Sequence, residues 1–131
     1  MPGVFSNYRK EWLRLDVGLL LIRIEGRMFF ANAQQVAQKT RPLLEQFQPS
    51  VVVLDLSGVI DLEYSALKML TESEKRARGT SVWLSGLNTK VLQMIRRSPL
   101  GSTLGSEALL FNLEMAVKKY LGPAAVAGAL K

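Results

Sequence analysis

Apolar residues follow two different periods along the chain, and the change between them predicts its elements. Residues 18–25, GLLLIRIE, begin as a continuous apolar run and end in alternation, which predicts a strand whose late residues approach a sheet edge. Gly26 permits a tight turn, so residues 27–30 are predicted to return as a short second strand in a hairpin-like pair. Val51, Val52, Val53 and Leu54 form an uninterrupted aliphatic run, the pattern of a strand covered on both faces. That run ends at Asp55 and passes through a short polar turn. The spacing of Ala66, Leu67, Leu70 and Ala77 then predicts an amphipathic helix from about Glu63 to Arg78.

Punctuating residues bound the other elements. Asn32 is expected to cap a helix with Ala33, Val36, Ala37, Thr40, Leu44 and Phe47 inward, which Pro42 should kink or break in two. On the solvent side of the next helix, Glu72 with Arg76 and Glu74 with Arg78 make i, i+4 pairs worth only ~0.3 kcal/mol each. Gly79 ends it. Residues 81–85, SVWLS, are predicted as a strand, and Asn88 as the cap of a helix with Val91, Leu92 and Ile95 inward. Residues 98–101 stop that helix, with Arg96 and Arg97 placed to favour its C-terminal dipole. A polar loop is expected over 101–108 and a brief extended segment over 109–111. Asn112 then caps a last helix, with Leu113, Ala116, Val117 and Tyr120 inward, ended by Gly122-Pro123. The expected domain occupies 18–122, between an N-terminal arm or linker at 1–17, anchored by Phe5, Tyr8 and Trp12, and a tail at 123–131. Strands alternating with helices imply an α/β fold with parallel pairing in the later part of the sheet.

Composition narrows the chemistry. The 131 residues suit one domain able to bury a core without staples. There is no cysteine and no histidine, which removes disulfides, thiolates, Ser-His-Asp and Cys-His catalysis, and the common transition-metal ligands. Neither Gly-x-Gly-x-x-Gly nor a phosphate-cradling Gly-Lys-Ser/Thr loop occurs, so the expectation is no enzyme, no metal and no cofactor. A net charge of +6 admits an anionic membrane surface as partner, but the cations are dispersed and not interleaved with aromatics, so nucleic acid is not expected. The longest apolar stretches fall far short of the roughly 20 residues that span a bilayer.

Chemistry therefore concentrates where the central strand hands over to its helix. Asp55, Ser57, Asp61, Glu63, Tyr64 and Ser65 lie within eleven positions there. Asp55 and Ser57 are placed to bond neighbouring amides, Asp61 to cap the helix, and Glu63 to complement its dipole. The sequence Leu54-Asp55-Leu56-Ser57-Gly58 followed by 61–67, DLEYSAL, resembles a STAS domain, the module named for sulfate transporters and anti-sigma factor antagonists. Residues 23–26, 29–33, 83–88 and 97–100 resemble more narrowly the STAS domains at the cytoplasmic C-terminus of SulP-family anion transporters, sulfate and bicarbonate transporters among them.

The resemblance implies a small mixed sheet of four to five strands, with four to five helices packed mainly on one side. Its regulatory face would be the loop before the second helix. In the anti-sigma antagonists that loop carries Asp-Ser-Ser-Gly with the first serine phosphorylated; here Glu63 matches the Asp, Tyr64 occupies the phospho-serine position, Ser65 matches the second serine and Ala66 the glycine. Only Ser65 remains as a phosphorylation candidate among the matched serines. The implied function is a non-enzymatic regulatory and protein-interaction domain of a SulP-type transporter, acting through the loop and helix near Asp61 on the cytoplasmic side of the cell membrane. Its implied partners are the parent's transmembrane domain, a cytoplasmic regulatory protein and a second copy of itself. The alternatives are a free-standing anti-sigma-factor-antagonist-like signalling protein, soluble in the cytoplasm, and a small anion- or nucleotide-binding module.

Overall fold

The computed structural model describes residues 12–75 and 79–122, the side chains of residues 73–75 excepted. The two continuous apolar runs lie side by side. Strand β1 (Trp12–Asp16) pairs antiparallel with β2 (Leu19–Met28), and β2, β3 (Val51–Leu62), β4 (Ser81–Ser85) and β5 (Leu109–Leu110) continue in parallel, in the order 1-2-3-4-5. Leu20, Ile22, Val52, Leu54 and Leu84 face one core, while Leu19, Leu21, Val51 and Val53 face another on the opposite side. Burial on both faces explains why these runs show no alternation.

Four helices close the larger core: α1 (Phe30–Phe47), α2 (Tyr64–Lys75), α3 (Thr89–Arg96) and α4 (Pro99–Leu104), contributing Ala33, Leu44, Leu67, Leu70, Ile95 and Leu100. Among the described residues, one helix, α5 (Leu113–Leu121), covers the other face through Ala116 and Val117. The result is the expected α/β architecture, with five strands and five α-helices, mainly on one side, among the described residues. The caps at Asn88 and Asn112 form as predicted, each Oδ1 accepting a 2.8 Å bond from the backbone N–H three residues on, at Val91 and Met115.

Several local expectations are overturned. No hairpin forms at Gly26: β2 runs unbroken through it, with Gly26 at φ 81° inside the strand. Residues 12–16, expected in the N-terminal arm, supply the antiparallel partner instead. They are pinned by Trp12 against Phe47, with ring centroids 5.5 Å apart, and by Arg14 stacked 4.7 Å above the same ring.

The polar turn expected after Asp55 is also strand. β3 continues to Leu62, slipping register against β2 once between Arg23 and Glu25 and again between Gly26 and Arg27. Each slip inserts one extra residue into β3, so Leu56, Val59 and Leu62 all reach the larger core at a spacing of three. Leu56, Gly58, Ile60 and Leu62 would have faced it under strict alternation.

Pro42 lies inside an α1 that is one helix of 18 residues, with no break in two. That helix begins at Phe30, and Asn32 does not cap it: the Asn32 amide donates to the Arg27 carbonyl at 2.8 Å. Part of the loop expected at 101–108 is helical, with Pro99 at the first turn of α4 where a missing N–H costs nothing. The pairs expected at Glu72–Arg76 and Glu74–Arg78, residues 1–11 of the arm and the tail at 123–131 lie outside the described residues.

Leu54 is fully buried at the centre of the sheet, and its replacement should report the core directly. Leu54→Ala is expected to cost ~2–5 kcal/mol, lowering the urea midpoint without changing the slope, whereas Ile60→Ala at a 74% exposed bulge should stay within about 0.5 kcal/mol.

Candidate functional site

The bulged half of β3 brings the end of β2, the start of α1 and the start of α2 to one place. Glu63, between β3 and α2, ties them together. Its backbone N–H donates to the Met28 carbonyl at 3.1 Å, and its Oε1 accepts from the Phe30 N–H at 3.3 Å. Phe30 is the first residue of α1, whose own N-cap, Phe29, provides no side-chain acceptor. Glu63 thus supplies to α1 the acceptor and negative charge that a helix N-terminus favours. The sequence predicts Glu63 at the dipole of α2; this contact with α1 is a different one, made across 33 positions of sequence.

Asp61 does not cap α2: its Oδ1 accepts from the adjacent Leu62 N–H at 3.0 Å, still within the strand. Tyr64 opens α2 and is half-buried, where it lines a small crevice of about 80 Å³ with Lys68, Thr71, Leu100 and Leu104. Ser65 beside it is exposed.

Asp55 and Ser57 belong to a second cluster. Asp55 is only 6% exposed, and its Oδ1 accepts from the Ser57 N–H at 3.2 Å, the local side-chain to backbone bond expected of it. It pairs in register with Arg23 on β2 and Ser85 on β4, so the three share one sheet face, the α5 side. Arg23 Nε is 2.8 Å from Glu25 Oε1, an ion pair too exposed to add more than ~1 kcal/mol. Ser85 is fully buried, and its Oγ finds no partner among the described residues.

The six predicted residues are therefore divided. Asp61, Glu63 and Ser65 are exposed near the start of α2, Tyr64 turns inward against α4, and Asp55 and Ser57 lie in the middle of β3, with Ser57 beside Gly86 at the end of β4. Sequence reasoning missed the apolar side of this surface: Phe29 is 43% exposed, Phe30 45% and Ile60 74%, all at the end of β2 and β3 that Glu63 closes. The adjacent aromatics Phe29-Phe30 carried that signal. Carboxylates beside exposed apolar groups form a surface suited to a protein partner, and the same carboxylates disfavour an anion at the α2 N-terminus.

Gly86 fixes how β4 leaves this edge. Its φ is 72°, and a Cβ there would lie 2.7 Å from Ser57 Cβ and 2.8 Å from Ser57 N. Gly86→Ala is expected to destabilise the domain by ~1–3 kcal/mol, through backbone strain and displacement of Ser57 from its bond to Asp55, read as a lowered thermal midpoint.

The sequence model of the STAS domain matches residues 13–118. Among solved structures, the chain is similar to the STAS domain of a SulP transporter from Vibrio cholerae (24% identity, 82% of this chain and 84% of that one, TM-score 0.68). It is also similar to a sulfate transporter family protein from Wolinella succinogenes (22% identity, 99% and 98%, TM-score 0.65). A putative anti-sigma factor antagonist from Thermotoga maritima shares the fold to the same degree (15% identity, 82% and 91%, TM-score 0.68). No curated protein matches the sequence. With four-fifths of its length under that sequence model and the matching five-stranded architecture, the chain belongs to the STAS domain family.

Proposed function

We propose that this chain is the regulatory, protein-interaction STAS domain of a SulP-type secondary anion transporter. It acts without catalysis, through the surface at the start of α2, on the cytoplasmic side of the cell membrane. The observation that carries the reading is the exposure of Phe29, Phe30 and Ile60 at the end of β2 and β3 where Asp61 and Glu63 are also exposed, near the loop where the family resemblance locates regulation. The likeness to the Vibrio cholerae and Wolinella succinogenes structures supports the transporter setting. The partner is the parent's transmembrane domain, and Glu63 is the positioning residue that holds both helix starts in the contact geometry.

The test is binding of the chain to the membrane domain encoded upstream in the same reading frame, reconstituted in lipid nanodiscs. Ile60→Asp and Phe29→Asp should each weaken association at least about tenfold while leaving the thermal midpoint within a few degrees, as exposed sites allow. Undiminished association in both variants, or a reading frame without membrane spans, would overturn the reading.

A second reading has its own observation. Ser65 is exposed in the first turn of α2, where a phosphate would meet the helix dipole favourably and Glu63 unfavourably. In a free-standing signalling protein, phosphate mapping after incubation with cell extract should place the group on Ser65, and a Ser65→Ala variant should remove it. An unmodified Ser65 under those conditions sinks this alternative.

A further inference from the structure

We infer that the edge of β3 over residues 58–62 binds its partner as an added strand, an extended segment that carries a lysine or arginine. β3 has two strand neighbours only as far as Asp55, which pairs with Arg23 on β2 and Ser85 on β4. At Gly86, with φ 72° and close against Ser57, the chain turns aside from β3. β3 itself continues to Leu62, paired with β2 alone. On the side that β4 has left, no strand among the described residues pairs with residues 58–62. An open strand edge is a row of backbone donors and acceptors, and its complement is another extended backbone.

The Leu62 amide shows the state of this edge. Glu63 N–H donates to the Met28 carbonyl on β2, so by the alternation of a parallel ladder the Leu62 N–H points the other way, to the open side. There it donates to Oδ1 of its own neighbour, Asp61, at 3.0 Å. A carbonyl of an added strand would take the Leu62 N–H and release the Asp61 carboxylate, which then needs a cation. Arg27, opposite Asp61 on β2, forms no ion pair with it among the described residues. A lysine or arginine on the added segment supplies that cation. The same charge disfavours a second copy, because pairing two such edges would bring the exposed Asp61 and Glu63 of both copies into one seam. Ile60, 74% exposed within this stretch, gives the segment an apolar side chain to cover. Strand addition presupposes the partner surface proposed above and gives the form in which that partner is held.

The experiment is amide hydrogen exchange of the complete 131-residue chain, free and bound to the membrane domain encoded upstream and held in lipid nanodiscs, with association measured on the same samples. Exchange over residues 58–62 should slow at least about tenfold on binding, because hydrogen-bonded amides exchange only when the structure opens, while β4 stays unchanged. Asp61→Lys should weaken association at least about tenfold. Asp61→Asn, which keeps an acceptor for the Leu62 N–H, should weaken it less and lessen its dependence on salt. Association with unaltered exchange at 58–62 would overturn strand addition and leave the transporter reading standing, whereas absence of association would overturn both. Protection that appears in the free chain as its concentration rises would assign the edge to a second copy, and overturn strand addition by a partner.

Discussion

The structure depends on β3 being buried on both faces over its first half and on only one over its second. Val51–Leu54 must satisfy two cores at once, so they carry no polar side chain, and the parallel neighbours β2 and β4 must match them residue for residue. Beyond Asp55 the α5 layer ends. From there the strand is asked for apolar residues on one side only, and the other side becomes free for Ser57, Ile60 and Asp61. The boundary between scaffold and surface is thus set inside one strand, at the residue where its second cover stops.

Bulges let a single strand perform both duties. Two inserted residues re-aim the second half so that Leu56, Val59 and Leu62 keep the larger core filled, while Ile60 is extruded into solvent. Glu63 then converts this geometry into a junction, because its main chain bonds to β2 and its side chain to α1 just as α2 begins. The exposed Phe29, Phe30 and Ile60 are consequently carried by elements anchored in the core. That suits the interaction role we propose for the domain.

What could be read from the sequence was whatever had a strong period or a local cap. The runs at Leu19–Ile22 and Val51–Leu54, the helical spacing of Ala66, Leu67 and Leu70, and the caps at Asn88 and Asn112 all depend on neighbours a few residues away. The family resemblance added the fold to these. The errors have a common physical origin in long-range pairing. Ser57-Gly58 and Gly26 read as turns, since polar and glycine residues commonly mark them; only the register between β2 and β3 shows that they lie within strands. The spacing of three in Leu56, Val59 and Leu62 was the available sign of bulging. Glu63 was legible as a helix-start acid, but its service to α1 across 33 positions had no local signature.

The placement of the two tryptophans has a spectroscopic consequence. Trp12 packs against the larger core beside Phe47, whereas Trp83 belongs to the smaller one, with the Lys119 ammonium 4.8 Å above its ring. Each layer of the sandwich therefore contains its own chromophore. A Trp→Phe change at either position leaves the fluorescence of the remaining one as a private record of a single layer, so the two sides of the sheet can be followed separately as the domain unfolds or engages a partner.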